Sequence, residues 1–533
     1  MAKIGKIEQK AVLDNPTLEE QHSFYEAYYS HGLQIRFNKL RIVNLLREMG
    51  FYRYDIPESH TSEMVRIVEN KIRIVSLTTI RDAFEDYLMG LQPIERTFYT
   101  KGKSDSEDEP SKVTVQITST ILIGKMYDNL QNLFSADLME RLRPINYSIT
   151  IEEDNYNTKY VFFNNTAVEV TAEGIKLVPY SSLKNYIWEN AIINRDFEED
   201  CSTGDFEQFI CDICKYNEKT KEGQARKKSL MSLLGYLMHN NYETNLKAIM
   251  FTDVNEEGGG VANGGTGKGI LGKALAQMLN RQRGDCRYLV VAGKGFEFKD
   301  TRYAGGDLTT QLIHIEDLDK RFSFTDLFCD VTDGCTFRKL HHNPQIHFSK
   351  IMLSVNHTIN FQGTSERRRL VIFELYNYYS EKFTPVDKFG KRFFESQWTQ
   401  KDWSQFYNFM LRCVAVYMQY GIIEPDMVNY EQRLIEEQLP EDFVYFFEQE
   451  IKESVAHQTR TEYVKKNLYD RFIFKYPQYT KYNQSGFTKW CTLYLQLRHI
   501  RSGSHRKKQN NDYTDIFVLY PDIHENLFKY IVK

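Results

Sequence analysis

Long apolar runs are missing from this sequence. No stretch approaches the roughly 18 to 20 apolar residues that a membrane-spanning helix needs, and the opening MAKIGKIEQKAVLDNPTLEE lacks the apolar core of a secretory leader. The expectation is a cytoplasmic protein with no membrane partner. Cysteine is scarce, eight in 533 residues, and only Cys211 and Cys214 form a CxxC. No second CxxC or HxxxH completes a zinc set. The helical apolar spacing of GDFEQFICDICKY makes this pair core cysteines, with metal binding as the alternative, and scattered thiols point to a reducing compartment. Proline (12) and glycine (29) are modest while Tyr and Phe number 35 each, which excludes a chain dominated by low-complexity tails. The net charge of −4 excludes a chain-wide attraction to nucleic acid, so any such affinity must come from local patches.

What is present divides the chain. Its length allows two to four domains. Residues 1 to about 100 alternate helix-like segments (FNKLRIVNLLREMGF, LTTIRDAFEDYLMGL) with short strands such as KIRIVSL, and KGKSDSEDEPSK at 101–112 reads as an exposed loop. Residues 146–182 are β-prone. From 246 to 376 short apolar strands (LKAIMFTDV, RYLVVAG, TQLIHIEDL, KIMLSVN) alternate with helices, the pattern of a helix-covered, mostly parallel sheet. The tail from about 430 reads as three helices and a β-hairpin around HIRSGSHRKKQNNDYTDIFVLY.

The stretch GGVANGGTGKGILGKAL at 259–275 joins a strand to a helix. Such a glycine-rich turn aims backbone N–H groups at a phosphate, the helix dipole adds positive potential, and a lysine neutralises the outer phosphates. Asn263, Gly264, Gly265, Thr266, Gly267, Lys268 and Gly269 are therefore the expected phosphate cradle. Two positions depart from G-x-x-x-x-G-K-[ST]: Ala262 replaces the first glycine, and Gly269 replaces the hydroxyl that ligates magnesium. The alternative is a flexible turn that happens to contain GK. Downstream, TQLIHIEDLDK ends in adjacent acids, Glu316 and Asp317. An ATPase needs one carboxylate near magnesium and one to polarise the attacking water. Asn356, closing KIMLSVN, is placed to touch the terminal phosphate or that water. In SERRRLVIFEL, Arg367, Arg368 and Arg369 precede an apolar strand, where burial without anions is costly. An arginine reaching a neighbouring subunit's phosphate stabilises the charge of phosphoryl transfer, the alternative being a solvated corner.

This order of motifs resembles the superfamily 3 helicases, the AAA+ replicative helicases of small viruses, phages and plasmids, and most nearly the primase-helicase-like proteins of bacterial phages and mobile elements. The resemblance spans roughly residues 30–425 and is carried by NGGTGKG, GKGFEFKDTRYAGGDLTTQLIHIEDL, KIMLSVNH and SERRRLVIFEL. It implies Lys268 as the Walker A lysine, Glu316 and Asp317 as the Walker B acids with Asp317 on the metal, and Asn356 as the sensor. Through RLVIFEL it implies Arg369 as the inter-subunit finger, with Arg368 the runner-up. It places a DNA-contacting hairpin at FRKLHHNPQ, where Arg338, Lys339, His341 and His342 suit phosphate contact, a bland exposed hairpin being the alternative. It also implies ATP with Mg2+, a homo-oligomeric ring (a hexamer), and replication of a phage, plasmid or other mobile element in a bacterial cell. Magnesium would lean on Asp317, water or Thr266. The first 200 residues show no D-x-D on a strand and no zinc set, and His341–His342 lack the intervening apolar residue of a nicking motif. A primase or other replication protein would then be a separate partner.

The tail carries a second signal. Residues 471–511 hold nine Lys or Arg and no Asp or Glu. A helix followed by a basic β-wing grips DNA with the helix in a groove and the wing on phosphates, so Lys489, Arg501, Arg506, Lys507 and Lys508 are the candidate contacts to single- and double-stranded DNA. A solvated face is the alternative. The expected fold is α/β: an α+β N-terminal domain (1–204), an AAA+ P-loop ATPase core (205–425) and a winged-helix-like C-terminal domain (426–533). The leading functional expectation is an ATP-dependent ring helicase. The competing one is a nucleotide-controlled DNA-binding initiator or defence scaffold with weak ATPase activity.

Overall fold

The computed structural model describes residues 18–56, 62–100, 111–145, 150–242, 246–254, 265–279, 287–293, 302–318, 322–338, 344–359, 364–457, 459–498, 500–509 and 512–520. The chain forms two compact units, one from Met1–Glu153, Tyr160–Ala167 and Val178–Asn194, the other from Asp154–Lys159, Val168–Leu177 and Arg195–Lys533. In the first, helices Lys39–Glu48 and Leu77–Met89 bury the apolar residues that recur at helical spacing, Ile42 with Leu46 and Ile80 with Phe84 and Leu88. These join Phe24, Phe51 and Leu122 in one core. Of the 101–112 stretch, expected as an exposed loop, residues 101–110 lie outside the described residues, and Ser111 and Lys112 instead open the strand Ser111–Ile117.

The second unit is built on a five-stranded parallel sheet. Its strands are β1 (Ala248–Asp253), β2 (Tyr288–Ala292), β3 (Leu312–Glu316), β4 (Lys350–Ser354) and β5 (Leu370–Leu375), in the spatial order β2-β3-β4-β1-β5. Strands buried on both faces read as continuous apolar runs, and every residue of β1, β4 and β5 is buried. Successive residues alternate faces. On one face, Met250, Ile313, Ile315, Leu353 and Ile372 share a core with residues 430–519. On the other, His314 meets the helix α3 (Lys268–Met278), where Gly272 leaves so little room that a Cβ would stand 2.8 Å from the Tyr288 hydroxyl and the His314 ring. The helices α1 (Asp205–Ile213), α2 (Lys221–Met238) and α4 (Gln400–Tyr420) belong to the same unit. A Cβ at Gly235 of α2 would lie 2.2 Å from the Cys413 carbonyl oxygen of α4, so glycine permits that backbone approach.

The C-terminal segment comprises α5 (Tyr430–Gln438), α6 (Glu441–Ala456), β6 (Thr461–Val464), α7 (Lys465–Lys475), α8 (Gln484–Leu497), β7 (Arg501–Gln509) and β8 (Asp512–Tyr520), the strands forming an antiparallel sheet in the order β6-β8-β7. The expected three helices are four, and the hairpin gains a third strand. The four-residue β6 is too short to show alternation in sequence and is held by pairing, Tyr463 opposite Phe517. Among the described residues no helix is long and apolar enough to cross a membrane.

At the start of β4, far along the strand from Asn356, Lys350 is 2% exposed. Its ammonium donates to the Asn241 carbonyl at 3.2 Å and lies 3.7 Å over the Tyr236 ring. Burial pulls its pKa down to about 7, Asp154 opposing and Lys159 adding to the fall. Unfolding restores the ordinary lysine value, so between about pH 7 and 10 the unfolded chain binds the extra proton and stability rises with pH. Below about pH 7 both states are protonated and the full cost of the buried charge is present. Lys350→Met is expected to raise stability by about 2 kcal/mol near pH 6 and to flatten the climb toward pH 9. Identical urea midpoints for parent and variant from pH 6 to 9 would remove this account.

Candidate functional site

The carboxyl ends of parallel strands, where the strand order reverses, are where open α/β sheets bind ligands. In this sheet β1 lies between β4 and β5, and its last two residues, Thr252 and Asp253, are fully buried. The turn that follows begins its described part at Gly265. Gly265 (φ +101°) and Gly267 (φ +115°) hold left-handed backbone that other residues rarely adopt. Gly267 has a second constraint, because a Cβ there would stand 2.5 Å from the Phe209 ring of α1. Gly267 caps α3 and has no side chain to accept the first N–H groups of the helix. The Thr266 hydroxyl donates to Asp253 Oδ1, and the buried Lys268 ammonium donates to Asp253 Oδ2. Burial lowers the Lys268 pKa against the charges of Asp253 and Asp317, and Arg433 lowers it further. A Cβ on Gly269 would meet nothing within 4 Å. Asn263 and Gly264 lie outside the described residues.

The two acids after β3 part ways. Glu316 ends the strand half-buried, its Oε1 3.4 Å from His314 Nδ1. Asp317 turns into left-handed backbone (φ +52°), its N–H donating to the Ser354 carbonyl at 3.0 Å, and its exposed carboxylate is the one whose charge reaches Lys268. Beneath them a buried polar ladder crosses three strands: Tyr288 Oη contacts His314 Nδ1 at 2.6 Å and Ser354 Oγ contacts His314 Nε2 at 2.7 Å. Asn356, two residues beyond β4, has its Oδ1 buried with no hydrogen-bond partner among the described residues.

The arginine turn is placed less simply. Arg367 pairs with Glu431 at 2.7 Å, Arg368 is exposed, and the Arg369 guanidinium lies 4.7 Å over the Phe328 ring. Arg338 follows the strand Cys335–Phe337, which pairs with Gln345–His347. Lys339, His341 and His342, between those strands, lie outside the described residues. Cys211 and Cys214 are buried, and burial pushes the Cys214 thiol up to about 12. No group of three metal-ligating side chains occurs among the described residues.

In the C-terminal segment Lys489 is exposed on the polar face of α8, where Gln484, Thr488 and Thr492 share a groove of 680 Å³ with Lys465 and Asp515. Arg501, Arg506, Lys507 and Lys508 are exposed along β7, and Tyr513, opposite Lys508, is 71% exposed. The acid-free run in the sequence is not acid-free in space. Asp515, across the hairpin, pairs with Arg506 at 2.9 Å, and Glu462 of β6 stands 3.7 Å from Lys507.

Several polar residues at these sites are not singled out by motif: Asp253, His314, Glu374 and Arg433. For the first three the signal is the rarity of charged or polar groups inside apolar strands such as AIMFTD, LIHIE and LVIFEL; Arg433 lies in the helix α5 and has no such local signal. No family model and no curated protein matches the sequence. Among solved structures, the apo NrS-1 C-terminal region aligns with 69% of this chain and 100% of its own, at 11% identity and a TM-score of 0.32. JCV helicase aligns over 45% of this chain and 63% of its own, at 10% identity and 0.24. Drosophila ORC bound to DNA aligns over 64% and 95%, at 13% identity and 0.16.

Proposed function

We propose that this chain is an ATP-driven DNA helicase of the AAA+ superfamily 3 type, working as a homo-oligomeric ring in the replication of a phage, plasmid or other mobile element. The domains are 1–204, the ATPase core 205–425 and a winged-helix-like 426–533. One observation carries the reading: the carboxyl end of the sheet holds a buried lysine opening α3, two left-handed glycines and the Asp317 carboxylate whose charge reaches that lysine, and just past β4 the Asn356 amide oxygen has no partner among the described residues. Left-handed glycines before a helix start present N–H groups to phosphate, and Lys268 supplies the charge. ATP with magnesium would supply the leaving group and a metal that stabilises charge on the transferred phosphoryl. On this reading Lys268 exchanges Asp253 for phosphate. Asp317, with water, would hold the metal, because residue 269 has no hydroxyl. Glu316, steadied by His314, polarises the attacking water, and Asn356 orients it. Arg369 or Arg368 acts on the neighbouring subunit's site.

The helix–strand–helix–helix–hairpin order of residues 441–520 supports the winged-helix reading, with α8 in a groove and β7 on phosphates. Each phosphate contact adds roughly 0.9 to the salt slope of log affinity on duplex DNA. Neutralising Arg506, Lys507 and Lys508 together is expected to weaken binding and flatten that slope by roughly two units, with ATPase in the absence of DNA intact. An unchanged slope would leave the hairpin a solvated face.

The competing reading, a nucleotide-controlled DNA-binding scaffold with weak turnover, is favoured by Gly269, which lacks the hydroxyl that ligates magnesium. Steady-state ATPase with and without single-stranded DNA decides between them. The helicase reading requires DNA-stimulated turnover and rings in electron micrographs with an ATP analogue and forked DNA. Slow turnover indifferent to DNA supports the scaffold.

A further inference from the structure

Toward its tip the β7–β8 hairpin presents chemistry that phosphate contact alone does not use. Tyr513 is 71% exposed and makes no hydrogen bond and no ring contact among the described residues. Lys508 stands opposite it in the register. Of the three neighbouring cations on β7, Arg506 is paired with Asp515 and Lys507 faces Glu462, whereas Lys508 has no acid partner among the described residues. An uncovered aromatic ring beside an uncompensated ammonium suits a ligand that carries both a flat apolar surface and an anion.

The register also fixes the face on which the ring stands. Directly opposed residues share one face of a strand pair, and alternate residues of a strand return to it. Arg506, Lys508, Tyr513 and Asp515 therefore share a face, the one whose Phe517 and Leu519 enter the core nearer the base of the hairpin. Asp515 lines the 680 Å³ groove along α8 together with Lys465, Thr488 and Lys489. Tyr513 lies two residues beyond Asp515 toward the tip, about 7 Å along the strand. It stands past the end of the groove, where a duplex lying along α8 would stop.

Stacking decides which DNA suits this arrangement. Inside a continuous duplex both faces of every base pair are covered by their neighbours, and a ring reaches them only by unstacking a step. Where duplex meets single strand a base face is bare, and an aromatic ring stacks on it whatever the base. We infer that Tyr513 stacks on the unpaired base at a duplex–single-strand junction, with Lys508 on the adjoining phosphate, and that this ring gives the tail a preference for forked DNA over continuous duplex; this rests on the DNA-binding reading of residues 441–520 above. Because the ring carries no charge, its loss leaves the salt slope on duplex DNA unchanged, which separates it from Arg506, Lys507 and Lys508.

The test uses the full chain without nucleotide and a fluorescent forked duplex, displaced by unlabelled fork, by single strand, or by a relaxed circular duplex that has no bare base face. The parent is expected to favour the fork over both competitors. Tyr513→Ala is expected to bind the fork about 5- to 150-fold more weakly, with affinity for the circle and its salt slope unchanged, and Tyr513→Phe to match the parent. With 2-aminopurine as the first unpaired base, the parent and Tyr513→Phe should quench its fluorescence and Tyr513→Ala should not. The inference is overturned if Tyr513→Ala binds the fork like the parent, if it loses fork and circle equally, or if Tyr513→Phe fails as alanine does. A single strand that displaces the fork as well as fork itself would overturn the junction preference. Should the parent bind none of the three DNAs, the DNA-binding reading itself falls and takes Tyr513 with it. Should the parent bind fork and circle alike, with Tyr513→Ala indistinguishable from it, only the role of Tyr513 falls.

Discussion

Replacing Lys268 by alanine is expected to cut ATP turnover by at least about 100-fold, the scale seen when a preorganised charge is taken from phosphoryl or oxyanion stabilisation. The ammonium is buried, bonded to a fully buried carboxylate, and sits at the first residue of α3. No solvent-borne cation can take its place. Its loss also strands Asp253, which would keep only the Thr266 hydroxyl among these partners. The two acids should separate by phenotype because the backbone separates them. Glu316→Gln should trap bound ATP, since the half-buried carboxylate beside His314 is the one suited to draw a proton from water. Asp317→Asn should instead raise the magnesium concentration needed, its exposed carboxylate being the acid near Lys268. A radiolabelled ATPase assay across magnesium concentrations reads all three. If every variant hydrolyses ATP like the parent, the site is elsewhere.

Arg368 and Arg369, both changed to alanine, should lose turnover about 10³-fold or more, the scale of an arginine finger, without losing nucleotide binding. Arg367 is bonded to Glu431, Arg368 is exposed on the same turn, and the Arg369 guanidinium lies over the Phe328 ring. Mixing this double variant with Lys268→Ala should restore part of the activity, because mixed rings contain some interfaces with an intact lysine on one side and intact arginines on the other. Both variants forming rings, yet no mixture recovering turnover, would count against a site shared between subunits.

The sheet was legible because its strands are unbroken apolar runs and its one glycine-rich turn sits between a strand and a helix. The positions of Glu316, Asp317 and Asn356 at strand ends and of Lys268 at a helix start follow from order alone, each closing or following such a run. Asp253 could not, since an acid ending AIMFTD has no meaning until the lysine fifteen residues later is seen to return to it. Glu374 and Arg433 were further out of reach: nothing local tells that LVIFEL pairs beside AIMFTD, or that a helix 59 residues further on lays an arginine against it. In the basic tail, spacing along the chain hides the acids that lie across from the bases. Counting charges along the chain missed Asp515, which the hairpin register sets directly across from Arg506.

The placing of β1 between β4 and β5 has a consequence for how the protein is made. β1 pairs with residues about 120 positions later, Ala248 with Leu370, and with β4 about 100 positions later, Ala248 with Ile351. At synthesis rates of about 5–20 residues per second, the strand that ends at the lysine-holding acid waits roughly 5 to 25 s with both apolar edges bare. Long-range parallel pairing is slow even once the partners exist. The nascent chain should therefore be most prone to aggregate, and most dependent on chaperones, while residues 248–375 are emerging, and least so once β5 has closed over β1.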